Sequence, residues 1–460
     1  MLKIYLNGVI RNISTPQILE KMEGRVVMSN SISSLLQGIV GDQNVIDNPS
    51  EMAKYLKGNG NPAVVVFPGN TTEVSGVVKL ANEKNVKISV AGYVVDTKGL
   101  EGGIALVMSR MNKIVEMDHE NLVAVVEPGM THQEFLKQVG EAGLYFPPEP
   151  YEVDTSSIGG CFAIGDSDSK TFKYGPTRTF LLGFDMVLPN GEIMEIGNKC
   201  IKNVSGLDFI HFAVASQGTF GIFTKLLVKI LPAPAAKRVV VGRFASMHKA
   251  NATFNTLIKR NIHPDRMNLI SESLVKDVLP GQGHLALIDL EGFVQSSQNM
   301  ANEIAAVFTL GGGTDVQIIN DAEGYENVIN GWLKVRQVLN NKPEQVLEFA
   351  VGPMKMPQAL NQLEGIIGDL GAYPGVVVEG LLGFARLLLP ENADKMAMAK
   401  KVNKMAMSLG GNVTGLLGHK MMCEAYNDAE MWSDTTALLN ELRKQFDPKG
   451  ILNPGVSLQG

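Results

Sequence analysis

Hydrophobic positions along the chain follow two rhythms, short β-branched runs and amphipathic stretches of helical period. The clearest passage starts at Ala63–Phe67, an apolar run closed by Pro68-Gly69, the profile of a buried strand. Asn70-Thr71-Thr72 then offers N-cap side chains and Glu73 places a carboxylate in the first turn. Val74, Val77, Val78 and Ala81 follow at i, i+3, i+4 and i+7, one face of a helix. With a second apolar run at Val86–Val90, residues 63–90 predict a β-α-β unit with a parallel strand pair and a right-handed crossover. Further strands are expected at Ile104–Met108, Leu122–Val126, Phe184–Leu188, Glu192–Ile196 and Ile222–Leu231, with a helix near Gln133–Ala142. Pro189-Asn190-Gly191 is a hairpin signal between two of these strands.

Pro232-Ala233-Pro234 marks the expected boundary between two parts, the first being 1–235. The second part predicts strands at Val239–Phe244, Leu285–Leu290, Val376–Glu379 and Phe384–Leu389, with helices over Pro357–Leu370 and Asn392–Leu409.

Composition narrows the classes. A chain of 460 residues with 45% hydrophobic and 19% charged residues is globular and too long for one simple core. A net charge of −6 with no basic run excludes nucleic acid as an expected partner. Cys161, Cys200 and Cys423 form no metal-binding or redox spacing and read as ordinary buried thiols in a reducing, cytoplasmic setting. The most apolar stretch, Val376–Leu389, is broken by Glu379 and Arg386 and is shorter than the roughly 20 residues a span needs, so no membrane span is expected. The 22 methionines read as adaptable packing.

Four blocks in a fixed order carry a family resemblance. They are Phe67-Pro-Gly-Asn-Thr-Thr-Glu-Val74 with Val125-Val-Glu-Pro-Gly129; Ser157-Ile-Gly-Gly160 through Lys173-Tyr-Gly175 to Asp185-Met-Val-Leu-Pro-Asn-Gly-Glu192; Lys202-Asn-Val-Ser-Gly206 with Ser216-Gln-Gly-Thr-Phe-Gly-Ile222; and Phe446-Asp-Pro-Lys-Gly-Ile-Leu-Asn-Pro454. Together they resemble the FAD-linked oxidases, the group of glycolate oxidase D-type subunits and D-lactate dehydrogenases. The resemblance implies an α+β fold: a two-subdomain PCMH-type FAD-binding domain, a ferredoxin-like α/β cap domain, and a tail returning to the first domain. It implies FAD held by Ala91, Gly92, Tyr93, Val94, Pro128, Gly129, Ser157, Ile158, Gly159, Gly160, Gly218, Gly221 and Ile222. It also implies partner protein subunits, an iron–sulfur subunit among them, and a small-molecule hydroxy-acid substrate.

The chain departs from that pattern where chemistry is expected. The pyrophosphate loop, Ala91-Gly-Tyr-Val-Val-Asp-Thr-Lys-Gly99, has alanine in place of arginine and few glycines, and β-branched Val94 and Val95 disfavour the positive φ of an anion nest. Gly165-Asp-Ser-Asp168 stands where the family has Asn-Ala-Gly-Gly, and its two carboxylates read as solvated. Cys161 reads as a buried thiol. The family's catalytic histidines are missing from Val378-Glu-Gly-Leu-Leu-Gly-Phe-Ala-Arg-Leu387, and Leu416 and Leu417 replace a Glu-His pair. No metal site is expected. The remaining catalytic candidates are Arg336, after Trp332, Arg386 and His419. Arg386 has two readings, a substrate carboxylate clamp or a structural pair with Glu379. Two functions follow: a FAD-dependent oxidoreductase subunit moving a hydride from a hydroxy-acid-like substrate to flavin, or a non-catalytic paralogue serving assembly or electron transfer.

Overall fold

The computed structural model describes residues 2–6, 9–13, 32–149, 156–165, 170–202, 206–275, 279, 281–368, 375–414 and 433–456. The helix Thr71–Lys84 starts as its sequence dictates. The Asn70 side chain accepts from the Glu73 N–H at 2.9 Å, and the Glu73 carboxylate accepts from Gly69 N at 2.7 Å. Val74, Val77, Val78 and Ala81 are fully buried, packed against a four-stranded sheet. That sheet differs from the expected parallel pair: Ile104–Val107 lies between Val64–Val66 and Ile88–Ala91 and runs parallel to both. The apolar pattern gives direction but not which strand fills the middle.

A second, five-stranded antiparallel sheet follows in the order Ile193–Gly197, Leu181–Val187, Ile222–Lys229, Val123–Val126, Ile114–Asp118. Its last strand alternates half-exposed positions and gave no apolar run to foresee it. The Asn190-Gly191 hairpin closes as predicted, with Gly191 at φ 82° and its carbonyl accepting from Ser75 Oγ at 2.6 Å. This contact brings the two sheets together. The segment Ile451-Leu452-Asn453 completes the first of them. Ile88 N donates to Ile451 O and Asn453 N to Ile88 O, at 2.8 and 2.7 Å, and Ile451 and Leu452 are fully buried.

Residues 236–414 form an eight-stranded antiparallel sheet with central strands Arg266–Ile270 and Gly375–Glu379. One face is covered by Met247–Lys259, Val294–Leu310, Met356–Ile367 and Lys395–Ser408 around the largest core. The other face carries Arg266, Asn268, Asp289, Glu291, Glu379 and Arg386, a polar row unusual for a central sheet and partly covered by the helix Ala322–Asn340. No helix among the described residues is long and apolar enough to cross a membrane.

Candidate functional site

A cleft opens between the two sheets of the first part. Of the predicted cofactor residues, Ala91, Gly92, Pro128, Ser157, Gly159, Gly160, Gly218, Gly221 and Ile222 line it, joined by Val90, Met108, Ala163 and Phe223, which the motifs did not single out. Four predicted residues sit elsewhere. Ile158 is buried in the core, and Val94 points outward with 41% exposure. Gly129 is needed where two chain segments cross, since a Cβ there would lie 2.0 Å from the Met108 carbonyl oxygen. Tyr93 donates its hydroxyl to Gly129 O at 2.9 Å, fastening the loop to the Pro128-Gly129 turn, and burial raises its pKa.

Close packing accounts for the glycine at position 92. Its Cβ would stand 2.4 Å from Ser157 Oγ, so the end of the Ile88–Ala91 strand rests directly on the cap of the helix Ile158–Ile164. The first N–H groups of that helix are already taken: Ile158 by Met130 O, Gly159 by Pro128 O, Gly160 by Ser157 Oγ. The N–H groups of Gly92, Tyr93 and Val94 find no acceptor among the described residues, so the loop rather than the helix offers donors to an anion. From Ala91 to Lys98 no residue has positive φ, and the loop lacks the alternating backbone of a phosphate nest. Asp96 is exposed and accepts from Lys98 N at 2.9 Å within its own turn.

The second element of the site was legible in the sequence only at Arg336. At the seam between the first part and the eight-stranded sheet, Arg266 Nη2 lies 2.7 Å from both carboxylate oxygens of Glu149. Lys170 Nζ is 3.2 Å and Arg336 Nη1 3.6 Å from the same carboxylate. Lys170 also donates to Tyr145 Oη at 2.5 Å, and Tyr145 donates to Glu291 at 2.6 Å. Asp289 accepts from Tyr325 Oη at 2.9 Å. Burial pushes Asp289 up to about 6 against the pull of Arg266, whereas the cations hold the Glu149 carboxyl well below the usual carboxylate range against its own burial. Only Glu149, between prolines, carried a local sign of rigidity.

His132 steadies the turn that carries Glu149. Its Nε2 donates to Pro148 O at 2.7 Å, and burial lowers its pKa from the ordinary 6.5 to about 4. A depressed histidine pKa gives stability that is complete above 6.5 and is lost as pH falls towards 4. Replacing His132 with Asn therefore costs less at pH 5 than at pH 7, by about 2 kcal/mol, in denaturant unfolding at the two pH values.

Arg336 is brought into this cluster. It lies on the buried face of the helix Ala322–Asn340, one turn beyond Trp332. Arg386 is placed differently, paired with Glu348 at 3.3 Å and Glu379 at 3.4 Å, the structural arrangement the sequence left open. Its guanidinium also stacks over Phe384. His419, Asp166 and Asp168 lie outside the described residues.

The fold and cleft define a two-part flavoprotein architecture, and comparison with known proteins agrees. Residues 62–197 match the FAD binding domain model and residues 233–456 the C-terminal domain model of FAD linked oxidases. The chain is 28% identical over 425 residues to the glycolate oxidase subunit GlcD of Bacillus subtilis, covering 86% of this chain and 88% of that protein. It is 29% identical over 459 residues to a D-lactate dehydrogenase of Anaerostipes hadrus, covering 91% and 94%. The fold is shared with p-cresol methylhydroxylase at a TM-score of 0.71 and 15% identity, over 95% of this chain and 97% of that one. It is also shared with alkyldihydroxyacetonephosphate synthase at 0.72 and 17%, over 92% and 84%.

The chain belongs to the FAD-linked oxidase superfamily, and is an FAD-linked oxidoreductase related to glycolate oxidase and D-lactate dehydrogenase. Its cofactor is FAD. Gly92, Ser157, Gly159, Gly160 and Gly218 give the cleft the close backbone approach that such a group needs, although the loop's backbone differs from a phosphate nest.

Proposed function

We propose that this chain is an FAD-dependent oxidoreductase subunit acting on a small 2-hydroxy acid or similar carboxylic acid. One observation carries the reading: three buried cations, Arg266, Lys170 and Arg336, converge on a single carboxylate position at the seam beside the cofactor-binding part. Bound in the cleft, FAD would supply an acceptor for a hydride. Gly92 would offer its N–H to the phosphates, while Ser157, Gly159 and Gly160 would lie along the cofactor. Arg336 with Arg266 and Lys170 would orient the substrate carboxylate, a charge-assisted contact that fixes which carbon faces the acceptor. Tyr145 stays protonated, its pKa raised well above 10 by burial, so it donates hydrogen bonds rather than removing a proton.

A second reading is favoured by the Arg386–Glu379 pair in the segment where the family's histidines are expected. Here the chain is a non-catalytic paralogue that serves assembly or electron transfer. In either case we propose a cytoplasmic protein with partner subunits, an iron–sulfur subunit among them. We also propose a working division into 1–235, 236–440 and a returning tail, 441–460.

The test is the visible spectrum of the purified chain, heat release of its flavin, and anaerobic bleaching by glycolate and D-lactate. Stoichiometric FAD that bleaches with either acid supports the enzyme. FAD that neither acid bleaches supports the paralogue, and a colourless chain that FAD cannot reconstitute overturns the enzyme reading.

A further inference from the structure

We infer that Asn268 and Trp332 form a subsite that reads the hydroxyl of a small 2-hydroxy acid. The inference rests on the hydroxy-acid substrate proposed above and names the two side chains that tell such an acid from its analogue without the hydroxyl.

Sheet register places Asn268 in the polar row. It stands two positions beyond Arg266 on the strand Arg266–Ile270, so the two side chains share a face. Across the strands it pairs with Leu287 on one side and Glu379 on the other. Trp332 stands one turn before Arg336 on the helix Ala322–Asn340, which covers this face. The indole belongs to one core cluster with Ile270, Leu287 and Val377, the apolar residues that surround Asn268 on its face of the sheet. Arg266 and Arg336 both reach Glu149, and one step further along each element stand Asn268 and Trp332.

Both side chains are buried without being satisfied. Asn268 is 0% exposed and Trp332 1%, yet Asn268 Oδ1, Asn268 Nδ2 and Trp332 Nε1 have no hydrogen-bond partner among the described residues. Glu379, opposite Asn268, is paired with Arg386 instead. A buried amide and a buried indole N–H that bond to nothing cost the fold free energy, and a ligand that bonds to them regains it. Leucine and phenylalanine would serve packing alone, so the polar atoms point to a ligand.

Their chemistry defines what fits. An amide presents an acceptor and a donor side by side, and an indole presents a donor only. A 2-hydroxy acid is the complement. Its hydroxyl donates to Asn268 Oδ1 and accepts from Trp332 Nε1, while the neighbouring carboxylate oxygen accepts from Asn268 Nδ2. An acid without the hydroxyl leaves Oδ1 and Nε1 unpaired and is rejected for that reason.

Calorimetric titration of the FAD-loaded chain with glycolate and with acetate tests this. Wild type is expected to bind glycolate at least about tenfold more tightly than acetate. N268L keeps a buried side chain but removes the amide, and is expected to bring the two acids within about twofold of each other. W332F loses only the N–H, and is expected to weaken glycolate while leaving acetate unchanged. Should N268L fail to fold, N268A removes the same amide without added volume, and the same ratio is read. Equal binding of the two acids by wild type overturns the inference, as does a wild-type ratio kept in both the Asn268 and Trp332 variants. If glycolate still bleaches the flavin in that case, the hydroxy-acid reading stands without this subsite. If neither acid binds or bleaches, both fall.

Discussion

Replacing Arg266 with Met is expected to cost the fold about 3–5 kcal/mol, the range found when one partner of a buried ion pair is removed. Arg266 is 1% exposed and lies beside two carboxylates, hydrogen-bonded to Glu149 at 2.7 Å and ion-paired with Asp289 at 3.6 Å. Met fills a similar volume but leaves both acids without their nearest guanidinium. Lys would restore the charge without the planar fork and should recover only part of the loss. The double variant R266M/E149Q should recover a further part, because the coupled residues are not additive. Urea unfolding of the four proteins checks this. A loss below about 1 kcal/mol for R266M would mean the seam is wet enough to screen the pair.

Ending the chain at Gly450 is expected to be as severe, by about 4–10 kcal/mol, taking two buried aliphatic side chains at roughly 2–5 kcal/mol each. Ile451 and Leu452 are fully buried against the Ile88–Ala91 strand and its neighbours. Asn453, at φ 44°, accepts from Val90 N with its side-chain carbonyl at 2.9 Å and donates its side-chain amide to Gln217 O at 2.7 Å. Val90 and Gly218 both line the cofactor cleft, so Asn453→Ala alone should loosen flavin with a smaller loss of stability. Flavin content after gel filtration and the thermal midpoint separate the two effects. Full flavin retention in Asn453→Ala would remove Asn453 from the cleft's support.

How much was legible in the sequence depended on how local the cause is. The helix Thr71–Lys84 could be read because Asn70, Glu73 and the valines lie within one stretch of chain. The Asn190-Gly191 hairpin was readable for the same reason. The strand Ile114–Asp118 was missed because only its neighbour Val123–Val126 is apolar enough to announce it. Glycines marked most of the cleft, yet they mark close backbone approach in general. Gly129 fits against Met108 and not against a ligand. Of the Glu149 cluster only Arg336 had a signal in the sequence, its place after Trp332; the members sit at 149, 170, 266 and 336 and only folding brings them together. Arg386 beside Glu379 was one of the two arrangements left open, because a buried arginine inside an apolar run needs an anionic partner.

The returning segment sets the order of events during synthesis. The strand Ile88–Ala91 leaves the ribosome long before Ile451, Leu452 and Asn453 exist to cover it. At about 5–20 residues per second, more than 360 residues of delay amount to roughly 20–70 s. Through that interval the nascent chain shows an apolar groove, and backbone N–H groups such as that of Val90 wait for their acceptor. Newly made chains are thus exposed to holding chaperones, and to misassembly, until residues 451–453 have been made.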